Sequence, residues 1–460
     1  MKPWVFGAVL LGSTAFAADP PRPNVVFLLA DDLGRQDCGF MGGTQIKTPH
    51  LDRLAAAGAK LDAFYVQPVC SPTRAALMTG RYPMRHGLQV GVVRPWAQYG
   101  LPLDERTLPQ GLKDAGYATA IIGKWHLGHH EPAYLPTRRG FDRQYGHYNG
   151  ALDYFTHVRD GGFDWHRDDK ACRDEGYSTH LIAKEAAAFV TETPGKKPFF
   201  LYVPFNAVHT PHQVPAEYMK PYGPLTGERK KYAGMLAAMD EAVGKIVAAV
   251  EAAGVRKNTL FVFSSDNGGP RPGVVTDNGP YRAGKGTVYE GGVRAAAFAT
   301  WDGHIKPGST ITEPLHMVDW YPTLLKLGGA TAEQKLPIDG LDVWPTLTQG
   351  KPSPHDAILM NATPRGGAVR AGDWKLVVTD GADDPDGNPP PKKKAVPADP
   401  VELFNLKDDP YEKTNLAARQ PEKVKELQAR LAAFAKQAVA PKARPKPKDF
   451  VTPKVWGEKD

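Results

Sequence analysis

Cysteine is scarce in this chain, with three residues in 460: Cys38, Cys70 and Cys172. That excludes a scaffold built on disulfides; in an oxidising compartment Cys38 and Cys172 could pair, and one bridge does not make a framework. A concentrated basic stripe is also missing. The formal net charge is +7, but Lys and Arg are scattered until the C-terminal tail. No nucleic-acid footprint is therefore expected, and the modest positive charge suits an anionic substrate or surface. Beyond the N-terminal segment no apolar run is long enough to cross a bilayer, so no stable membrane insertion is expected. Internal repeats are absent too. The composition is otherwise that of an ordinary globular protein, 42% hydrophobic and 23% charged. Its length provides for two or three domains and a large core.

The N-terminus carries an address. Lys2 precedes the apolar run WVFGAVLLG, which leads to Ala15-Phe16-Ala17. A basic residue, a short apolar stretch and an A-x-A site form a secretory signal peptide, here residues 1–17. The mature protein is then secreted or periplasmic. A retained anchor is the alternative, for which the run is short.

Four apolar runs share one habit. PNVVFLLADD (Pro23–Asp32) ends in two carboxylates, and YATAIIGKWHLG (Tyr117–Gly128) in Lys124 and His126. PFFLYVPFNAVHTPH (Pro198–His212) ends in His209 and His212, and TLFVFSSDNGG (Thr259–Gly269) in Asp266 and Asn267. Continuous apolar runs read as strands buried on both faces. Helix-like segments lie between them: Thr48–Gly58, Glu105–Gly116 and the long amphipathic Gly227–Gly254. The alternation predicts an α/β sheet covered by helices on both faces, whose ligands gather at the carboxyl ends of the strands. This domain spans 22–350. Residues 351–440 change texture to short alternating strands, a Pro/Gly/charge-rich loop and a helix near Pro421–Ala438, a small α+β domain. The remainder, 441–460, is a Pro/Lys-rich tail expected to be extended or mobile.

The stretch VCSPTRAALMTGRYP (Val69–Pro83) poses the sharpest question. Pro72 suits a first helical turn and Gly80 a C-terminal cap, which predicts a helix over Thr73–Thr79 with Cys70 just before it and Arg74 one turn in. Ser71 and Thr73 read as capping residues. A helix N-terminus favours anions; a structural cysteine or half a disulfide is the plainer account of Cys70. Asp31, Asp32, Asp266 and Asn267 supply only oxygen, which favours a hard cation, calcium or magnesium. His126, His209 and His212 keep a two-zinc site open. Lys124, His126, His209 and Lys285 add anion-binding donors and candidate general acids.

Cys70-Ser71-Pro72-Thr73-Arg74 resembles the C-x-P-x-R signature of the sulfatase family, and GKWHLG (Gly123–Gly128) its second motif. ADDLG, NAVHTPH, SSDNGG, YEGGVR, AGDWKLV and ELFNLKDDPYEKTNLA also look like family counterparts, in order along the mature chain. Within the family, LPTRRGFDRQYGHYNGALDY (Leu135–Tyr154) is most similar to arylsulfatase B, an N-acetylgalactosamine-4-sulfatase, and its bacterial relatives. The several disulfides of the animal enzyme have no counterpart here. The resemblance implies an alkaline phosphatase-like fold: a large mixed sheet between helices, then a small C-terminal domain with a four-stranded antiparallel sheet. It implies that Cys70 is converted to Cα-formylglycine by a separate maturation enzyme, and that the hydrate attacks a sulfate ester and later releases the sulfate. One Ca2+ would be held by Asp31, Asp32, Asp266, Asn267 and the modified Cys70. Arg74 would hold the formylglycine hydrate, Lys124 and Lys285 the sulfate oxygens, and His126 would orient or deprotonate the hydrate. His209 or Lys285 would protonate the leaving alcohol. The implied substrate is a sulfated glycan, with a galactose or N-acetylgalactosamine unit as the expected sugar. His147, Tyr148, Asn149, Asp153 and Arg365 are candidate subsite residues. The alternatives are a phosphodiester or phosphonate ester hydrolase on the same scaffold, and a non-catalytic glycan-binding protein.

Overall fold

The computed structural model describes residues 22–193, 195, 197–364, 366–379 and 400–458. The expected signal peptide, Arg365 and most of the charged loop after Asp380 lie outside the described residues.

A ten-stranded mixed sheet organises the first domain. Its centre is five parallel strands, in spatial order Thr259–Ser265, Asn24–Ala30, Phe199–Pro204, Ala118–Lys124 and Arg143–His147. The four expected from apolar runs are all there. Each is wholly or almost wholly buried, as strands covered on both faces must be. Along Asn24–Ala30, Val26, Leu28 and Ala30 face one core with residues of the Ser178–Glu192 and Gly227–Ala252 helices. Val25, Phe27 and Leu29 face the other, with residues of the Cys70–Thr79 and Trp320–Leu327 helices. Burying each large apolar side chain contributes about 1.5–3 kcal/mol. Antiparallel strands extend both edges: Ala297–Thr300 beyond Thr259–Ser265, and His166–Arg167 beyond Arg143–His147.

A four-stranded antiparallel sheet follows: Ile358–Thr363, Gly366–Ala371, Trp374–Thr379 and Val401–Asn405, in chain order. One face packs on the Pro421–Ala435 helix through Leu376, Leu403, Leu427 and Leu431. The other meets Tyr65 and Val293 of the first domain through Met360, Val377 and Phe404. The chain after Pro441 is extended but held. Lys442 N donates to Gly87 O, Phe163 N to Lys454 O and Trp456 N to Phe163 O, and the Trp456 ring is buried. The three cysteines are all free, so Cys38 and Cys172 do not pair.

Candidate active site

The parallel strands stop together. Ala30 pairs with Ser265, and Lys124 with His147. Pairing continues just past the ends, with Asp266 N donating to Ala30 O and Asp31 N to Ala207 O, both at 3.0 Å. This register delivers Asp31, Asp32, Lys124, His209, Asp266 and Asn267 to one edge of the sheet. Asp32 and His126 hold φ angles of 61° and 58°, where non-glycine residues seldom sit. Gly268 must be glycine for a different reason, since a Cβ there would lie 1.8 Å from Gly291 O.

The helix that faces this edge begins at Cys70, three residues earlier than the proline placement suggested. Pro72 is its third residue, still within the first turn, where no N–H is needed. Gly80 closes it at a φ of 67°, with Tyr321 so near that a Cβ would clash. All ten helical residues are buried. Ser71 and Thr73 do not cap it; Val69 occupies the cap position without a side-chain bond. Ser71 Oγ instead donates to His126 O at 2.9 Å and accepts from Val93 N at 3.0 Å. Thr73 Oγ1 donates to Asp266 O at 2.6 Å. The two hydroxyls therefore pin the helix to two strand ends, a role sequence reading missed because both partners are backbone atoms far along the chain.

Opposed charges fill the space between helix and sheet. Arg74 reaches Asp266 Oδ2 from Nη2 at 2.8 Å and Nε at 3.2 Å, and its Nη1 donates to Lys124 O at 3.1 Å. Lys124 Nζ lies 2.5 Å from Asp31 Oδ2, and Lys285 Nζ 2.8 Å from Asp32 Oδ1. Cys70 Sγ is 3.4 Å from Asp31 Oδ1. Asp31, Arg74, Lys124 and Asp266 have no solvent-exposed surface, whereas His209 and Lys285 each keep 18% of the side chain exposed. Those two line the open side.

Protonation follows from this packing. Burial opposes the Asp32 carboxylate, but the Lys285 ammonium holds it well below the usual range. Burial and the neighbouring Asp31 push Asp266 up to about 6, against the pull of Arg74. Burial, then Asp266 and Asp31, push the Cys70 thiol far up, so a thiolate nucleophile is disfavoured here. Burial, reinforced by Lys124 and Arg74, keeps His126 neutral. Its Nε2 lies 3.1 Å from Val93 O, which requires the proton there and leaves Nδ1 a buried acceptor with no partner. His209 Nδ1 lies 2.7 Å from Thr210 O, so the neutral ring carries its proton on Nδ1 and turns a bare Nε2 toward Asp32 Oδ2, 3.6 Å away.

Ligand atoms of Asp31, Asp32, Cys70 and His209 all lie within 4.8 Å of one another. Asp266 joins through Oδ1, which accepts from Asp32 N at 3.3 Å. Asn267 donates its amide to Asp32 Oδ1 and Gly268 O, which fixes the orientation and leaves Oδ1 buried without a partner. That orphaned oxygen and the carboxylates of Asp31, Asp32 and Asp266 offer the oxygen donors a hard cation takes.

Among the described subsite candidates, His147 ends its strand beside Lys124, and Tyr148 O accepts from His126 N at 3.0 Å. His147, Tyr148 and Asn149 are buried. Asp164 accepts from the Tyr148 and Asn149 amides, and Tyr148 stacks on His166. Asp153 binds Gln213 and the amides of Phe155 and Thr156. His212 turns toward Glu228, 3.9 Å away.

Comparison with known proteins agrees with this geometry. Residues 23–330 match the Sulfatase family model. The chain is 36% identical to arylsulfatase J of Mus musculus over 495 residues, covering 96% of this chain and 81% of that protein. It is 36% identical to N-acetylgalactosamine-6-sulfatase of Mus musculus over 359 residues, 73% of this chain and 68% of the other. Among solved structures, Ps i-CgsB in complex with k-i-k-neocarrahexaose superposes with a TM-score of 0.83 at 32% identity, covering 91% of this chain and 94% of that one. The likeness is thus to sulfatases of several kinds and not to arylsulfatase B in particular.

Proposed function

The chain belongs to the sulfatase family and is a sulfuric ester hydrolase, and from that premise we propose that it removes sulfate from a sulfated galactose or N-acetylgalactosamine unit of a glycan. The observation that carries this reading is Cys70 itself. It opens a helix against the paired charges of Asp31, Asp266, Arg74 and Lys124, below an opening lined by His209 and Lys285. The thiol is a poor nucleophile in that setting, which supports conversion of Cys70 to Cα-formylglycine by a maturation enzyme. Asp31, Asp32, Asp266 and Asn267, with the modified Cys70, are the residues that would hold one Ca2+. Bound there, the ion would act as a Lewis acid on the sulfate and screen the approach of the nucleophile.

The remaining roles fall to this chain's own side chains. Arg74, locked on Asp266, holds the base of the site and faces the residue at position 70. Lys124 and Lys285 bind sulfate oxygens. His126 acts as base through Nδ1, its free acceptor. Lys285 is the better donor to the leaving alcohol: it reaches the open side carrying a proton, whereas neutral His209 offers a bare Nε2 there. His209 then accepts or relays.

The complex of Ps i-CgsB with a neocarrahexaose supports a galactan-type oligosaccharide as substrate class. The narrower arylsulfatase B likeness rests on Leu135–Tyr154 alone, so no sulfate position is assigned. Export to the periplasm or outside the cell rests on the leader at 1–17. Among the described residues no helix is long and apolar enough to cross a membrane.

The test begins with peptide mass spectrometry across Cys70 on protein co-expressed with a formylglycine-generating enzyme. A hydrazide-trapped aldehyde is the expected result. An unmodified thiol, with a control sulfatase converted in the same cells, would overturn the nucleophile. Turnover of sulfate over phosphate and phosphonate esters by the converted protein then separates the sulfatase from a phosphoester or phosphonate hydrolase. Glycan binding without turnover would leave a binding protein instead.

A further inference from the structure

Lys285 sits on a stretch, Arg282–Tyr289, with no helix or strand of its own. Much of what grips the ends of that stretch comes from the small C-terminal domain. Lys375, on the third strand of the small sheet, places its ammonium 2.8 Å from Glu290 Oε1 and 2.8 Å from Glu412 Oε1. All three side chains are fully buried. Glu412 Oε2 accepts the Glu290 backbone N–H at 2.7 Å, and Glu290 Oε2 accepts the Tyr65 hydroxyl at 2.9 Å. At the other end, Arg282 Nη1 donates to Glu402 Oε1 at 2.8 Å and its guanidinium lies 3.9 Å over the Tyr289 ring. The Tyr289 hydroxyl donates to the second Glu402 oxygen.

This grip reaches the site through backbone bonds. Gly291 N donates to Arg282 O at 2.9 Å and closes the stretch into a loop. Gly268 N, beside the Asp266–Asn267 turn, donates to Gly292 O at 2.8 Å. Lys285 N donates to Gly269 O, and Gly286 N to Pro68 O just before the Cys70 helix. A well-packed apolar cluster would join two domains at least as tightly as buried ions. What the ionic cluster adds is direction: the Lys375–Glu290 bond and the Glu290 N–H bond to Glu412 are each made by particular atoms.

We propose that Lys375 is a positioning residue: through Glu290 and Glu412 it holds the Arg282–Tyr289 loop, and with it the Lys285 ammonium, against the leaving-group side of the active site. The small domain is then a working part of the site. This inference rests on the reading of Lys285 as the leaving-group donor.

The experiment uses full-length converted enzyme and the paired variant Lys375→Met/Glu412→Gln, which removes one charge of each sign and leaves Glu290 with Arg294. Phenyl sulfate needs help in departing; 4-nitrophenyl sulfate does not. A displaced donor should lower kcat on phenyl sulfate at least about tenfold, and on 4-nitrophenyl sulfate less than about threefold, because displacement of about 1 Å is costly only where the group acts. KM should rise alike for both esters, because Lys285 also contacts the sulfate they share, and in a Lys285→Ala background the paired variant should cost phenyl sulfate turnover nothing further. Equal losses on both esters, or an undiminished loss without Lys285, would reduce the cluster to a stability device and overturn the inference. Lys285→Ala with unchanged turnover of phenyl sulfate would overturn the donor reading first, and the inference with it, before the cluster is touched. Should the paired variant not fold, Glu412→Gln alone keeps an acceptor for the Glu290 N–H and should give the same leaving-group pattern at smaller size; equal losses there refute it equally.

Discussion

Ser71→Ala separates two accounts of the residue beside Cys70. If Ser71 were a helix-start residue with local bonds only, removing its hydroxyl would cost about 1 kcal/mol or less. The structure gives it two long-range partners in a site 1% exposed: His126 O at 2.9 Å and Val93 N at 3.0 Å. Alanine leaves both without a partner and too enclosed for water to replace the hydroxyl. Each orphaned buried group costs about 1–3 kcal/mol, so about 2–4 kcal/mol is expected for the two together after some relaxation. Guanidinium unfolding of wild type and variant reads this as a lower midpoint at an unchanged slope. A second readout comes from His126, whose Nε2 bonds Val93 O across the same junction and whose backbone sits at a φ of 58°. With the junction loosened, 4-nitrophenyl sulfate turnover should fall about tenfold. A loss under about 1 kcal/mol with turnover intact would refute the bridging role.

Three further outcomes are expected. Asp266→Ala should lose bound calcium, read by elemental analysis, and at least about 100-fold in turnover; full activity with full metal content would remove Asp266 from the metal site. Burial opposes the charge on His355, yet the Asp319 carboxylate 2.7 Å from its Nε2 raises the imidazole above its ordinary 6.5. A raised folded value means the pair's stabilisation is complete below pH 6.5 and is lost as pH rises through the folded pKa. The stability gap between wild type and His355→Gln should therefore narrow with rising pH, and a gap that stays flat would show the charged pair does not form. Trp456→Ala should cost about 3–5 kcal/mol, because the ring is 2% exposed and its Nε1 donates to Arg159 O at 2.8 Å; an unchanged unfolding midpoint would mean the tail is not anchored.

Much of this was legible in the residues because a parallel sheet leaves a coarse signature. Strands such as Val25–Leu29 and Leu260–Phe263 face apolar helices on both sides, so they read as unbroken apolar runs, and the polar residue after each run falls at the sheet edge. The fifth parallel strand, Arg143–His147, leaves no such run. Its contacts are found only in three dimensions, with Gln144 N on Asp168 and the Arg167 guanidinium 4.5 Å over Tyr145, while the side-chain polar atoms of Gln144 and His147 are buried without a hydrogen-bond partner. The helix start at Cys70 was hidden for a related reason, since proline is tolerated anywhere in a first turn. The Lys375 cluster is the clearest illegible feature. Its members are 85 and 122 residues from Glu290 in the hydrogen bonds that unite them, and an isolated Lys or Glu in sequence reads as a solvated surface charge. Trp456 was similarly masked by the Pro/Lys-rich chain around it.

The charges of the site bear on how its ligands depend on one another. Asp31, Asp32 and Asp266 face Lys124, Lys285 and Arg74 one to one. Arg74 is fully engaged by Asp266 and the Lys124 carbonyl, so it is not free to greet a substrate. Each ammonium has three N–H donors, so Lys124 and Lys285 can meet a sulfate while still holding Asp31 and Asp32, but any shift toward the sulfate weakens both pairs. Buried carboxylates so loosened are costly to leave without a counter-charge. A bound cation would supply that counter-charge, and the orphaned Asn267 Oδ1 would be a further oxygen for it. A metal held there and a sulfate would then be coupled through the two lysines: each would favour the arrangement the other requires, and by reciprocity each would raise the other's affinity. On this reading the lysines belong to metal retention as much as to substrate binding. Their loss should weaken sulfate binding by more than the contacts they make with the sulfate alone.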